Sequence, residues 1–149
     1  MLWKTHSAFG TAAASFLSTD PVILALAGTL SVIPDMDKPF GHRGWFSHSF
    51  FAAGLFGLAG FIVSGASIFI GLLVFLAVSV HILLDFFTLS GVPVLFPFSS
   101  KDHGLRVSRS SDVLLNKAFL AVALAILAYN LSTAYDLPKL LSGLPVQLT

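Results

Sequence analysis

The segment Val32-Ile33-Pro34-Asp35-Met36-Asp37-Lys38-Pro39-Phe40-Gly41-His42-Arg43-Gly44-Trp45-Phe46-Ser47-His48 sets two carboxylates, two imidazoles and a guanidinium between long apolar runs. Its surroundings decide what it can be. The 149-residue chain is 56% hydrophobic and 10% charged, with a mean hydropathy of +0.90, whereas soluble domains carry about a quarter charged residues. That is the composition of an integral membrane protein. At roughly 20 apolar residues per spanning helix, the length accommodates one domain over residues 1–149. The predicted fold is all-α, a multi-pass transmembrane bundle of about four to five helices. The quoted segment would form a polar metal site at one membrane face.

The chain has no cysteine, which excludes disulfides and thiolate metal ligands, so any metal must be held by nitrogen and oxygen. The stretch Met1 to His6 lacks the basic region, apolar core and small-residue cleavage site of a signal peptide, and none is predicted. With a net charge of only +1, no nucleic-acid partner is expected. Membrane lipids are.

On the N-terminal side, residues 7–33 are apolar or small except at Ser18-Thr19-Asp20-Pro21, where Asp20 is a helix N-cap and Pro21 a first helical position. A single kinked helix of about 40 Å would put His6 and Asp35 on opposite membrane faces. A hairpin of 7–17 and 21–33 would return His6 to Asp35, with arms too short to span fully and therefore re-entrant or half-buried. Both readings stay open.

On the C-terminal side, Ser47 is placed to cap a helix running to Val63. The turn Ser64-Gly65-Ala66-Ser67 then leads into a second helix from Ile68 to about Leu89. With the turn centred between Ser64 and Gly65, His48 and His81 are equidistant from it, so an antiparallel pair sets them at one depth. Asp85 follows His81 by four residues, on the same helix face. Gly54, Gly57 and Gly60 form a strip that lets a neighbouring backbone approach. Two prolines in Gly91–Phe98 exclude a regular helix and predict an interfacial loop. Residues 99–112 read as a polar loop, and Ser111 or Asp112 caps a last transmembrane helix over about 113–135. The motif-bearing core covers about 1–115.

Under the hairpin reading Lys4, Lys38, Arg43, Lys101, Arg106, Arg109 and Lys117 share one side, and Lys139 lies on the other. The positive-inside rule makes the motif-bearing face cytoplasmic. Arg106 and Arg109 read as topology or headgroup contacts.

Ionisable residues within apolar segments point to function, because burying them unpaired is costly. His6, Asp35, Asp37, His42, His48, His81 and Asp85 are the candidate metal ligands, more than one tetrahedral zinc can use. In an extended segment Asp35 and Asp37 would face the same way. The metal expected is a divalent ion, zinc first with manganese or magnesium as alternatives, in one or two copies. Arg43, which cannot ligate a metal, can clamp a phosphate or developing oxyanion. Arg43, His48 and Asp85 are the candidate catalytic residues. His103, in the polar loop, reads as solvated.

At these positions the chain resembles the YdjM-like, LexA-regulated, membrane-bound metal-dependent hydrolases. The matching stretches are His6, Ile33-Pro34-Asp35-Met36-Asp37, Gly41 to Ser49, Ser79 to Pro93 and Phe96-Pro97-Phe98. Ser47 stands where that family commonly has Thr, keeping a hydroxyl. The resemblance implies a bacterial or archaeal inner-membrane hydrolase. Joined to the residue reading, it leads to the expectation of metal-dependent cleavage of a lipid or lipid-linked phosphoester by a metal-activated water. A different class also fits, a non-catalytic membrane protein that uses the ion structurally or transports it.

Overall fold

The computed structural model describes residues 1–40 and 46–135 and, within them, the side chains of all but residues 37–40. Five α-helices occur among these residues: α1 (Trp3–Ala14), α2 (Pro21–Leu30), α3 (Phe50–Val63), α4 (Ile68–Phe86) and α5 (Val113–Ala134). A 3-10 helix, Ile33–Phe40, follows α2. Two isolated bridges, Thr88 with Ser108 and Val92 with His103, are the β pairing among the described residues.

Local chemistry explains the starts. Asp20 accepts hydrogen bonds from the Val22 and Ile23 amides ahead of Pro21 at the first helical position. Ser67 caps α4 and Asp112 caps α5 in the same way. For α3 the cap is Ser49, which receives the Ala52 amide at 3.1 Å, and not Ser47 as predicted. The hydroxyl of Ser47 is instead engaged by the neighbouring imidazole of His48.

α1 and α2 form a hairpin, which settles the alternative left open by the sequence. Their axes approach closely because Gly10 and Gly28 lack side chains. A Cβ on Gly10 would stand 2.6 Å from the Ser31 side chain and 2.9 Å from the Ala27 carbonyl, and one on Gly28 would stand 2.4 Å from Thr11 Oγ1. The hairpin is deeper than its helices alone imply, since Asn130 Nδ2 donates to Ser15 Oγ and the Tyr135 hydroxyl to the Thr19 carbonyl near the end of α5.

The centre of the bundle is α4, which packs on α1, α2 and α3. One apolar cluster joins Ala14, Leu24, Ala27 and Leu73; another joins Ala53, Val78, Ile82 and Val92. α4 stops at Phe86, three residues earlier than predicted, because backbone groups beyond it are recruited elsewhere. The Phe86 and Phe87 carbonyls accept the Leu105 and Val107 amides, and Leu89 N–H donates to the Ser108 carbonyl. The polar loop is thereby strapped across the end of α4.

α4 and α5 are both long and apolar enough to cross a membrane, at 19 and 22 residues. α5 buries little: Leu114 is 79% and Leu124 54% exposed, an apolar surface suited to lipid and not to water. The first turn of α1, the end of α2, the starts of α3 and α5 and the end of α4 lie together at one end of the bundle.

The glycine strip on α3 divides in two. A Cβ on Gly57 would meet the Gly71 carbonyl and Phe75 Cβ at 3.0 Å, whereas one on Gly54 meets nothing within 4 Å among the described residues. Gly57→Leu is expected to cost about 1–3 kcal/mol by overpacking. Gly54→Ala should be neutral or gain up to about 1 kcal/mol of helix propensity; thermal unfolding in detergent compares the two. At the start of α5, the Leu115 amide and Ser108 hydroxyl hold the Asp112 carboxyl below the usual carboxylate range. Because the folded value is the lower one, the wild-type advantage over Asp112→Ala is full above about pH 4. It should fade as pH falls through the lowered native value, which denaturation at several pH values measures.

Candidate metal centre

The shared end of the bundle gathers five ionisable side chains from four elements: His6 of α1, Asp35 of the 3-10 helix, His48 just before α3, and His81 and Asp85 in the last turns of α4. The three imidazoles are fully buried, and Asp85 and Asp35 are 1% and 7% exposed.

Asp85 is the hub. Its Oδ1 lies 3.4 Å from His6 Nε2, and its Oδ2 lies 3.8 Å from His48 Nε2 and 3.9 Å from His81 Nε2. Asp35 Oδ1 is 3.9 Å from His81 Nε2, and the Nε2 atoms of His48 and His81 are 3.3 Å apart. Ligands on bonds of about 2.1 Å in a tetrahedron stand about 3.4 Å from one another. The observed separations bracket that value. Two groups, His6 with His81 and Asp85, and Asp35 with His48 and His81, each offer ligand atoms that lie within 4.8 Å of one another. The Met1 amino group also hydrogen-bonds Asp85 Oδ1.

The ring orientations are set from outside the cluster. His81 Nδ1 lies 2.7 Å from the Ser31 carbonyl; a carbonyl only accepts, so Nδ1 carries the proton and, in the neutral ring, Nε2 keeps its lone pair. His48 Nδ1 is paired with the Ser47 hydroxyl at 2.8 Å, which likewise turns its Nε2 inward. His6 stacks on His81 with centroids 3.8 Å apart and planes at 17°. Neither ring nitrogen of His6 has a hydrogen-bond partner, although both are buried. Its charged neighbour is the Asp85 carboxylate at 3.4 Å, too far for a good hydrogen bond, and a buried imidazole so poorly satisfied is costly. A cation beside it removes that cost, and the donor set of imidazole nitrogens and carboxylate oxygens fits zinc, manganese or a similar divalent ion.

Of the predicted ligands, His6, Asp35, His48, His81 and Asp85 come together, with His48 and His81 meeting as their spacing predicts. The Asp37 side chain, His42 and Arg43 lie outside the described residues. Asp35 is not in an extended segment: the 3-10 helix replaces the expected same-side alternation with Asp37, because Pro34 and the Asp35 amide bonding to the Val32 carbonyl start a tight turn. His103 is half-buried where solvation was predicted, outside both groups, with its backbone paired to Val92.

Two supporting residues were missed. Ser31 offers its carbonyl to His81 while its hydroxyl donates to the His6 carbonyl at 2.9 Å and the Gly28 carbonyl at 2.8 Å. A backbone contribution leaves no mark in sequence. Asn116, buried in the first turn of α5, accepts from the Leu2 amide and Thr5 hydroxyl and donates to the Ser110 and Asp112 carbonyls. It anchors the turn carrying His6, and an amide side chain in an apolar helix was a signal that could have found it.

The sequence profile of the family described as YdjM inner membrane protein matches residues 1–145. No curated protein and no solved structure matches the chain.

His81→Ala is expected to abolish metal retention, and Ser47→Ala to weaken it by about 10-fold or more through loss of ring orientation. Metal analysis of purified protein and competitive chelator titration measure both. Unchanged affinity in His81→Ala would remove that residue from the ligand set.

Proposed function

The chain belongs to the YdjM inner membrane protein family, and from that membership and its buried His/Asp cluster we propose a multi-pass membrane hydrolase that cleaves a phosphoester of a lipid or lipid-linked substrate with a divalent metal. The observation that carries the reading is His6: fully buried, stacked on His81, 3.4 Å from Asp85, and without a hydrogen bond at either ring nitrogen. Its Asp85 partner stands beyond good hydrogen-bond distance, so a purely structural role would leave this ring poorly satisfied. His6 is arranged as a ligand in waiting.

A bound divalent ion would supply Lewis acidity toward a phosphoryl oxygen and an activated water at neutral pH. The residues of the chain do the rest. His6, His48, His81, Asp35 and Asp85 hold the ion, while the Ser31 carbonyl and Ser47 hydroxyl fix the two rings whose Nε2 atoms face each other. His81 is common to both ligand groups and its Nδ1 is committed to Ser31, so the described residues would hold one ion through its Nε2. A second would draw on Asp37 and His42. Arg43 would bind the substrate phosphate; His48, with Nδ1 paired to Ser47 and Nε2 turned to the ion, acts as a ligand, and the second carboxylate oxygen of Asp85 is the group to take the proton of the attacking water and return it to the leaving oxygen.

The centre lies at the end of the bundle that carries Lys4, Lys101, Arg106, Arg109 and Lys117, which supports a cytoplasmic position. Phe46, Phe51 and Phe96 make edge-to-face contacts with centroids 6.1–6.4 Å apart beside it, a rim suited to the headgroup level. Zinc is the preferred ion, with manganese or magnesium next.

The complete burial of all three imidazoles favours a second reading, an ion that only cross-links α1, α3 and α4. The two readings separate on protein reconstituted in lipid and assayed for released phosphate or headgroup over a broad phospholipid panel. Catalysis predicts release that a chelator abolishes and added metal restores, with His48→Ala lowering it about 100-fold or more in a protein that still folds. Stoichiometric metal with no release from any lipid, and loss of fold in Asp85→Ala, would establish the structural role instead.

A further inference from the structure

Beside the turn of α1 that carries His6, the first turns of α1 and α5 line a cleft of about 170 Å³. Its walls are apolar, from Leu2, Val113 and Leu120, and the two charged side chains lining it are Lys4 and Lys117. The polar groups at its base are already spent on each other, Thr5 Oγ1 donating to Asn116 Oδ1 at 2.7 Å and the Asn116 amide to two backbone carbonyls. Among the described residues neither lysine is in an ion pair, and Lys4 lies over the Trp3 ring at 5.8 Å. Asp112, the nearest acid in sequence, is committed to the Leu115 amide and Ser108 hydroxyl.

Such a cleft selects an amphiphile with an anionic head. We infer that it binds an anionic phospholipid of the surrounding leaflet, with the phosphate between the Lys4 and Lys117 ammonium groups and an acyl chain along α5. Charge complementarity sets the head: two cations near a membrane surface attract anionic lipid. The chain path follows from helical spacing, because Val113, Lys117, Leu120 and Leu124 recur every three or four residues and so form one stripe leading away from the cleft. Leu124 is 54% exposed, which leaves that stripe open to an acyl chain. A zwitterionic headgroup has no matching feature, since no carboxylate lines the cleft to receive its ammonium. The site needs no hydrolysis at the metal centre.

Native mass spectrometry of the full chain in detergent, titrated with phosphatidylglycerol or phosphatidylcholine, tests the inference. Phosphatidylglycerol is expected to stay bound and phosphatidylcholine to dissociate. Lys4→Gln/Lys117→Gln should weaken phosphatidylglycerol binding about 25-fold, from about 5-fold per lysine, whereas Lys4→Arg/Lys117→Arg and the control Lys101→Gln, outside the cleft lining, should retain it. Circular dichroism checks that each variant keeps its helices; if the double Gln variant does not, Lys117→Gln alone should show the 5-fold share. Equal binding of the two lipids, equal weakening in the control, or full displacement by inorganic phosphate would each overturn the proposal.

Discussion

Five ionisable side chains held out of water at one end of an apolar bundle are the constraint on which this structure depends. Imidazoles and carboxylates are stable there only if each is matched by others or by a cation. No single helix can provide that match. α4 brings His81 and Asp85, but their partners come from α1, from the turn after α2 and from the segment before α3. The α1–α2 hairpin, the α3–α4 hairpin and the strapped end of α4 are all ways of returning chain to the same place.

Close packing of backbones is what makes the return possible. Gly10 and Gly28 let α1 lie on α2, and Gly57 lets α3 lie on α4, so that His6 and His48 reach the same His81 ring, His6 stacked on it and His48 edge-to-face. Ser31 then connects three elements through one residue, bonding to the α1 backbone, its own helix and the His81 ring. Orientation of a ligand by a neighbouring backbone group is how protein sites fix a histidine tautomer. Asn116 plays the comparable part for α5, tying it to the turn that holds His6. Most of α5 otherwise faces outward, consistent with a helix whose main neighbour is lipid.

Much of this was legible in the sequence, and the remainder was hidden for definable reasons. Composition gave the helical membrane class, and the equal spacing of His48 and His81 about the point between Ser64 and Gly65 gave their meeting, because antiparallel helices convert sequence distance into depth. The hairpin of α1 and α2 was undecidable beforehand, since the deciding fact is the absence of side chains at Gly10 and Gly28 where the helices touch. Ser49 displaced Ser47 as the cap because two adjacent hydroxyls competed for one role and the imidazole of His48 claimed the other. The early end of α4 depended on pairing with residues about 20 positions away, which no local pattern encodes. Asp35 does join the buried cluster, but the geometry assumed for it failed because a 3-10 turn was read as extended chain.

The central claim is that these five side chains surround a metal ion. Crystals of the purified protein, measured for anomalous scattering on either side of the zinc, manganese and other metal edges, address it directly. The account predicts an anomalous peak bounded by His6, Asp35, His48, His81 and Asp85, with the Nε2 atoms of His48 and His81 both directed at it. An empty map in a metal-supplemented crystal, with His6 hydrogen-bonded to protein groups and the remaining four satisfied by one another, would contradict it.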